Sequence, residues 1–377
     1  MFSMKPVSIR QRGFSLIELM VGVVIGLLTV LVITQVMALA EGKRRTVSMG
    51  SDAQINGALA LFSMQRDIEQ SGSGMVTVQG SLGCTVNYKF GGGTAGSFTL
   101  APVVIDDGAA GAPDTIHILQ ANTTSFSAPM LLTGVSLKTD NHFTVSSSLG
   151  ALAGNLMIAV PQTQDAADQC ALFSVTNDGA SPATTTTLSN TNVPHVTGAG
   201  AAQWNQSSVL PASGYTNGSY LLNMGAMVYR TYQVGAAGNL QVKELSPTDG
   251  TGLLATDAKD LYPQIVNLQA LYGRDSTGGG SVDTYDNATP TTNLGWMRVL
   301  TVRMAVVARS NQYEKDIVTS TAPLWDLGTG IAVTGTISCN GGSKCLQLDV
   351  SSLPDWQHYR YKVYDTIVPL RNVLWHF

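Results

Sequence analysis

Two hydrophobic patterns follow one another at the start of the chain. No charged residue interrupts the run from Leu19 to Ala40, which as a helix would extend roughly 33 Å, enough to cross the hydrocarbon core of a bilayer. From Glu41 to Gln70 the pattern stays helical, contains no proline, and becomes amphipathic. The pattern predicts a helical segment over 14–72, with a transmembrane part over about 17–40.

The amphipathic half carries two apolar stripes at helical spacing, the first of which is predicted to pack on a globular domain. The stripes are Ile55, Leu59 and Phe62, and Leu61, Met64 and Ile68. The glycines of "QSGSG", residues 70–74, are suited to ending the helix.

Beyond residue 75 the apolar runs are short and are separated by turn residues, which predicts strands. The clearest strand signals are at Thr115–Gln120, Asn155–Val160, the hairpin Met227–Leu245, Met297–Ser310 and Tyr359–Leu370. Residues 184–203 are rich in Thr, Gly and Asn and are predicted to form surface loops. We therefore expect an α+β chain, with a long N-terminal helix followed by a large antiparallel β-rich head over 73–377.

Composition narrows the class of partner. The 377 residues carry a net charge of −4, and only 12% are charged. No long basic tract is present, so nucleic acid is not predicted as a partner.

Four cysteines, Cys84, Cys170, Cys339 and Cys345, allow three disulfide connectivities. Cys339 and Cys345 flank the turn-like loop "NGGSK" and are the favoured pair, which leaves Cys84 for Cys170. Free thiols are the alternative. A zinc site is disfavoured because no Cys-x-x-Cys or paired histidine is present.

The segment "RGFSLIELMV", preceded by the basic residues Lys5, Arg10 and Arg12, closely resembles the class III signal of type IV pilins and type II secretion pseudopilins. The resemblance implies that a prepilin peptidase cuts after Gly13, which removes a leader over 1–13, and methylates the new N-terminal residue Phe14. An ordinary single-pass anchor is the alternative.

The same resemblance places Glu18 at the fifth position of the mature chain. An isolated carboxylate in a medium of low dielectric constant is costly, whereas a paired one is offset by attraction. We therefore expect Glu18 to pair with the amino terminus of an adjoining subunit and to dock it. Many major pilins carry a proline where this chain has Gln35, so the sequence does not predict whether or where this helix bends.

Three further segments look like the PilW type of minor pilin: "FSMQRDIEQSG" at 62–72, "LQALYGRDSTGGGSVDTYDN" at 268–287 and "DTIVPLRNVLW" at 365–375. The resemblance implies a structural protein of the inner membrane, with its head in the periplasm, that primes the type IV pilus and then sits in its extracellular tip. Its implied partners are other minor pilins, the major pilin and a tip adhesin, and its implied roles are pilus biogenesis, twitching motility and adhesion. The alternatives are a type II secretion pseudopilin and a pilin-anchored surface adhesin or sensor.

Signals for enzymatic chemistry are missing from the sequence. It contains neither Gly-x-Ser-x-Gly nor a Walker-type loop, so we expect no enzyme and no cofactor. His117 lies in an apolar strand pattern and is predicted to be a satisfied core histidine. Asp275, Asp283 and Asp286 are a calcium candidate, but they lack the Asp-x-Asp-x-Asp alternation, and a solvated turn is the favoured interpretation.

Overall fold

The computed structural model describes residues 13–75, 80–124, 128–163, 169–177, 190–246, 250, 258–329 and 331–374. The predicted leader before Gly13, residues 184–189 of the predicted loop and Trp375 lie outside the described residues.

The described residues contain α-helices and β-strands that are numbered in chain order. The helices are α1 (Leu16–Gln70), α2 (Asn293–Met297) and α3 (Arg371–Leu374). The strands are β1 (Thr85–Tyr88), β2 (Gly96–Thr99), β3 (Val103–Asp106), β4 (Thr115–Gln120), β5 (Met130–Leu131), β6 (His142–Thr144), β7 (Leu156–Val160), β8 (Cys170–Ser174), β9 (Asn192–Pro194), β10 (Tyr220–Gly225), β11 (Val228–Val234), β12 (Asn239–Glu244), β13 (Lys259–Pro263), β14 (Ile265–Arg274), β15 (Thr284–Asp286), β16 (Val299–Arg309), β17 (Leu324–Gly328), β18 (Ile337–Ser338), β19 (Lys344–Gln347) and β20 (Tyr361–Pro369).

The chain divides into two compact units, Met1–Asp52 and Ala53–Phe377. The described part of the first unit is essentially helical. Its residues Leu16–Gly42 have a mean hydropathy of 2.8 and none of them is buried, so this part is long and apolar enough to cross a membrane. The hydroxyls of Thr29 and Thr34 donate to the carbonyls of Ile25 and Leu31, each at 2.8 Å, and so need no water.

The second unit contains Ala53–Gln70 of α1 and the β-rich head. Its sheets have the strand orders β2-β1-β8-β7-β10-β5, β13-β12-β11-β4-β3, β15-β14-β16-β20, β17-β19-β18 and β6-β9. The pairings are antiparallel except for β1 with β8, which is parallel. The predicted order of a long helix followed by an antiparallel β-rich head is confirmed.

The main core lies between α1 and the six-, five- and four-stranded sheets, which contribute Val86, Ile118 and Val306 among others. Two of these sheets are buried on both faces. In β8, Leu172 points into the main core while Phe173 enters a second cluster with Phe143 of β6. This follows from the two-residue period of a strand. The burial explains why β7 and β8 are continuous apolar runs.

The four-stranded sheet is also covered on its outer face, by β17 and β19. The alternating segment Met297–Ser310 is β16 with a short lead-in. Arg303 points away from the main core, as the alternation predicts. It donates to the carbonyls of Leu327 and Asp326, both at 2.7 Å, so its face is covered by β17 and not by solvent.

Three other predicted segments are confirmed as strands. Thr115–Gln120 is β4, Asn155–Val160 contains β7, and Met227–Leu245 is the hairpin of β11 and β12. The last of the predicted segments, Tyr359–Leu370, contains the edge strand β20.

The prediction that Ile55, Leu59 and Phe62 pack on the domain is wrong. They are exposed by 53%, 46% and 65%. The buried stripe of α1 instead contains Ala53, Gly57, Ala60, Met64 and Ile68. The small residues Ala53, Gly57 and Ala60 let the helix backbone approach the sheet closely, whereas larger side chains would increase the distance between helix and sheet.

Asp67 fixes this half of α1 to the five-stranded sheet. Both of its carboxylate oxygens accept from Nη1 of Arg230, at 2.9 Å, and Oδ2 also accepts from the hydroxyl of Tyr232 at 2.6 Å. Arg230 also pairs with Glu244 at 2.8 Å. A buried carboxylate is tolerated because charged and polar partners of this kind surround it.

Asp114 joins the five- and four-stranded sheets. Its oxygens accept from the backbone N–H of Gly108 at 2.8 Å and of Ala270 at 2.7 Å. Burial raises the pKa of Asp114 from its ordinary value of 3.8 to about 7. Since the pKa is higher in the folded chain, the contribution of this group to stability is complete below pH 3.8 and is lost as the pH rises to about 7.

Two disulfides are present, Cys84–Cys170 and Cys339–Cys345, the pairs that the sequence favours. The first joins the start of β1 to β8 across 86 residues, with Cα atoms 6.0 Å apart. The second closes the "NGGSK" loop next to β19, across six residues. Because a cross-link removes more unfolded-state entropy when its loop is longer, the first should stabilise the head more than the second.

A substitution at Gly57 can test the close approach of α1 to the four-stranded sheet. A Cβ at this position would lie 2.6 Å from the ring of Tyr364 and 3.2 Å from the Cβ of Ala308. We expect Gly57→Val to lower the free energy of unfolding of the head by about 1–3 kcal/mol, because it overpacks this contact. Thermal unfolding of the full chain in detergent, followed by circular dichroism, measures the change.

Ala58→Val is the matched control, since Ala58 is the next residue of the helix and is exposed. It adds a β-branched side chain in the same turn without a contact to overpack. Equal losses in the two variants would contradict the role given to Gly57.

Candidate assembly site

The predicted cleavage bond, between Gly13 and Phe14, lies just outside α1. Residues 13–15 are not helical, and the helix begins at Leu16. Phe14 is 87% exposed, and no described atom lies within 4 Å of the position that a Cβ on Gly13 would take. An exposed, non-helical peptide bond is accessible to a peptidase.

A reciprocal pair of hydrogen bonds starts the helix. The backbone N–H of Glu18 donates to Oγ of Ser15 at 3.2 Å, and the backbone N–H of Ser15 donates to Oε2 of Glu18 at 3.0 Å. This is a capping box, which satisfies N–H groups that the first turn leaves unpaired. Sequence reasoning assigned Glu18 only to docking, although the pattern Ser-x-x-Glu before an apolar run is the signal of this motif.

The cap occupies one oxygen of Glu18, but a carboxylate has about four lone-pair sites. The acid also lies in the first helical turn, where the helix dipole favours negative charge. Capping within the chain is therefore compatible with acceptance from a second donor.

The first unit presents a continuous apolar surface. The large apolar side chains of residues 16–39 are exposed by between 48%, at Leu31, and 77%, at Leu16. A patch of this extent requires lipid or protein around it.

A second apolar surface belongs to the head unit. Ile55, Leu59 and Phe62 project from the face of α1 opposite to the buried stripe, since successive residues of a helix are about 100° apart. We call these three residues the outer stripe. It makes residues 53–70 a helix with two apolar sides, one of which is uncovered.

The three aspartates of the calcium candidate have separate protein partners. Asp275 accepts from the backbone N–H groups of Gly278, Gly279 and Gly280, between 2.6 and 3.0 Å. These bonds, with that of Gly280 first, hold the pKa of Asp275 below its usual value. Among the described residues no group of three or more acidic, histidine or cysteine side chains is placed to hold a metal ion.

The other two aspartates are engaged in the same way. Asp283 accepts from the backbone and side chain of Ser276, and Asp286 pairs with Arg274 at 2.7 Å. The arrangement closes a turn between β14 and β15. His117 is likewise satisfied, by Thr231 at 2.8 Å and Asp106 at 3.0 Å.

Two family models match the chain. Residues 9–34 match the prokaryotic N-terminal methylation motif, which includes Gly13, Phe14 and Glu18. Residues 231–372 match the type IV pilus-assembly protein W, PilW. The chain is therefore similar to type IV pilus proteins at its N-terminal motif and over the last part of its head. The PilW segment contains the four-stranded sheet on which α1 packs at Gly57, and also the sheet of β17, β18 and β19.

No curated protein matches the chain. A solved type IV-like pilin from Thermus thermophilus is similar over 40% of this chain and 71% of its own, with 18% identity and a TM-score of 0.21. No conclusion about fold or function rests on that similarity. Residues 35–230 fall outside both family matches.

Proposed function

We propose that the protein is a structural minor pilin that primes assembly of the type IV pilus and sits in its tip complex. The observation that carries the proposal is the combination of an exposed Gly13–Phe14 bond, a capped apolar helix, and an outer stripe that the head leaves uncovered. A pilin needs each of these, for processing, anchoring and packing against other subunits.

Processing involves the first residues of the site. Prepilin peptidase cuts after Gly13, removes the leader and methylates Phe14, whose amine keeps its positive charge. Glu18 already accepts a hydrogen bond from the backbone N–H of Ser15. Its remaining lone pairs accept a further hydrogen bond from the methylated, positively charged amine of a neighbouring subunit. Attraction in a medium of low dielectric constant then holds the two subunits in register.

Location follows from the same elements. Residues 17–40 anchor the protein in the inner membrane, and the head folds in the periplasm before the subunit enters the extracellular pilus. The two disulfides support this, since disulfides form in oxidising compartments.

The head is large for a subunit within a filament. The 305 residues predicted for it, 73–377, correspond to roughly two ordinary domains. Within a helical filament a head of this size would clash with the neighbouring subunits, whereas at the tip no subunit lies beyond it. The proposed neighbours are therefore other minor pilins, the major pilin and a tip adhesin, and the downstream effects are twitching motility and adhesion. A type II secretion pseudopilin would share the N-terminus, but the match to PilW favours the pilus.

Deletion of the gene tests the proposal. We expect pili to be scarce or lost and twitching to stop, because priming by minor pilins precedes elongation. Electron microscopy and the amount of sheared pilin measure this, with complementation by the wild-type gene as control. Normal piliation together with defective protein secretion would support the pseudopilin instead.

Two substitutions separate the charge of Glu18 from its cap. Glu18→Gln keeps the cap, because a capping box accepts glutamine, but removes the charge, whereas Glu18→Ala removes both. We expect both variants to be cut at Gly13 to the normal extent and neither to enter pili. Immunoblots of processed protein and of sheared pili measure the two steps.

Gly13→Val is the control for blocked cleavage: it should stay unprocessed and therefore not enter pili. If Glu18→Gln entered pili at the wild-type level, capping alone would explain the residue and the pairing would be refuted.

The outer stripe is tested by Phe62→Ser. The side chain is 65% exposed, so the head should unfold at the same temperature as the wild type. Loss of one apolar contact between subunits should lower incorporation into pili about tenfold. The exposed Gln54, replaced by serine, is the control beside the stripe. Normal incorporation of the Phe62 variant would show that the stripe does not contact another subunit.

A further inference from the structure

A cavity of about 310 Å³ opens on the head, far along the chain from the processing site. Its walls come from the turn at 138–141, from β8, and from the segment 195–210 that follows β9. The volume is at the lower end of the range for small-molecule pockets. The side chains at its rim, such as Thr139, Thr197 and Ser207, are exposed, so a ligand can enter from solvent.

The walls are held in place without a ligand. Asn205 accepts from the backbone N–H of Ser174 at 2.7 Å and donates to the carbonyls of Ser174 at 2.8 Å and Val196 at 3.0 Å. The backbone N–H of His195 donates to the carbonyl of Asn141 at 2.8 Å. These bonds tie the three wall segments together, so the cavity is preformed.

His195 is the exceptional residue of the lining. It is only 7% exposed and packs against the rings of Phe143, at 4.4 Å, and Phe173, at 5.7 Å, which also contact each other. Its Nε2 is buried without a hydrogen-bond partner among the described residues. Buried polar atoms are seldom left unpaired, and a small rotation of the ring toward the cavity would bring this nitrogen within reach of a hydroxyl or amide donor there.

The imidazole is neutral under physiological conditions. Burial lowers the pKa of His195 to about 4, while a hydrogen bond with its own backbone opposes the shift. A neutral ring has one nitrogen that accepts. The ring therefore has no charge with which to attract an anion.

The remainder of the lining is also suited to a neutral ligand. It contains one basic and one acidic side chain, Lys138 and Asp140, among amides, hydroxyls and apolar groups. Asp140 is already bound to the backbone of Leu137 at 2.7 Å. Phe173 and Leu210, which belong to the second cluster, give apolar wall area. The C–H faces of a sugar ring match this area while its hydroxyls bond to the polar groups.

We propose that this cavity binds a neutral polyhydroxylated ring the size of a hexose, either as a free sugar or as the terminal sugar of a surface glycan. His195 Nε2 accepts from one hydroxyl of that ring. The proposal is independent of assembly into pili, since it concerns binding by the isolated chain, and its failure would leave the role in the pilus untouched.

The test uses the purified full chain in lauryldimethylamine oxide, a detergent without a sugar headgroup. Saturation-transfer NMR is recorded with glucose, galactose and mannose, and with the charged sugars N-acetylneuraminic acid and galactosamine. We expect saturable binding of at least one neutral hexose, and weaker binding of the charged sugars. Beads coated with that hexose then distinguish the sources: retention of the chain indicates a glycan terminus, and binding of the free sugar alone indicates a small metabolite.

Two pairs of variants tie the signal to the cavity. His195→Phe keeps an aromatic ring against the two phenylalanines and removes the acceptor, and should weaken binding about tenfold. His142→Phe, at an exposed histidine outside the lining, is its control. Ser207→Trp should block the rim, whereas Ser208→Trp in the same 3₁₀ turn, outside the lining, should not.

The proposal is overturned by any of three results. These are the absence of saturable binding for every neutral hexose, tighter binding of a charged sugar, and hexose binding that survives both His195→Phe and Ser207→Trp.

Discussion

The head depends on a carboxylate that is almost removed from water. Asp67 is 8% exposed and lies on the buried face of α1, where Arg230 and Tyr232 bind it. Removing Arg230 would leave the buried charge of Asp67 uncompensated, which is destabilising. The pair therefore fixes which side of the helix faces the sheets and at what height along β11, and the apolar contacts of Met64 and Ile68 can form only in that register.

The same choice of face creates the surface available to other subunits. Once Asp67 and the small residues around Gly57 turn inward, Leu59 and Phe62 must turn outward. Stability of the head and exposure of an apolar stripe are then two results of one orientation. A variant that rotated the helix would bury the stripe only by removing Asp67 from Arg230.

Sequence reasoning succeeded where a pattern is local. The N-terminal motif, the existence of the long helix and the strands with two-residue alternation all follow from neighbouring residues. On the buried face of α1 it succeeded for Met64 and Ile68 of the second predicted stripe. It failed for the first stripe, because the small residues that pack there, such as Gly57, give no hydrophobic signal in the sequence. The cavity around His195 could not be predicted, since its walls come from three separate segments within residues 138–210 and only the fold brings them together.

The attachment of α1 to the head also has a mechanical side. Ala53–Gln70 lies along the sheets and is held by packing at Gly57, by the ion pair at Asp67 and by bonds from Asn372 to the carbonyls of Gln70 and Ser71. A pull along the axis of this helical segment loads these contacts together, in shear, and none can break without the others carrying the force. The segment is thus a joint that resists tension better than a pull perpendicular to it, which would open the contacts one after another.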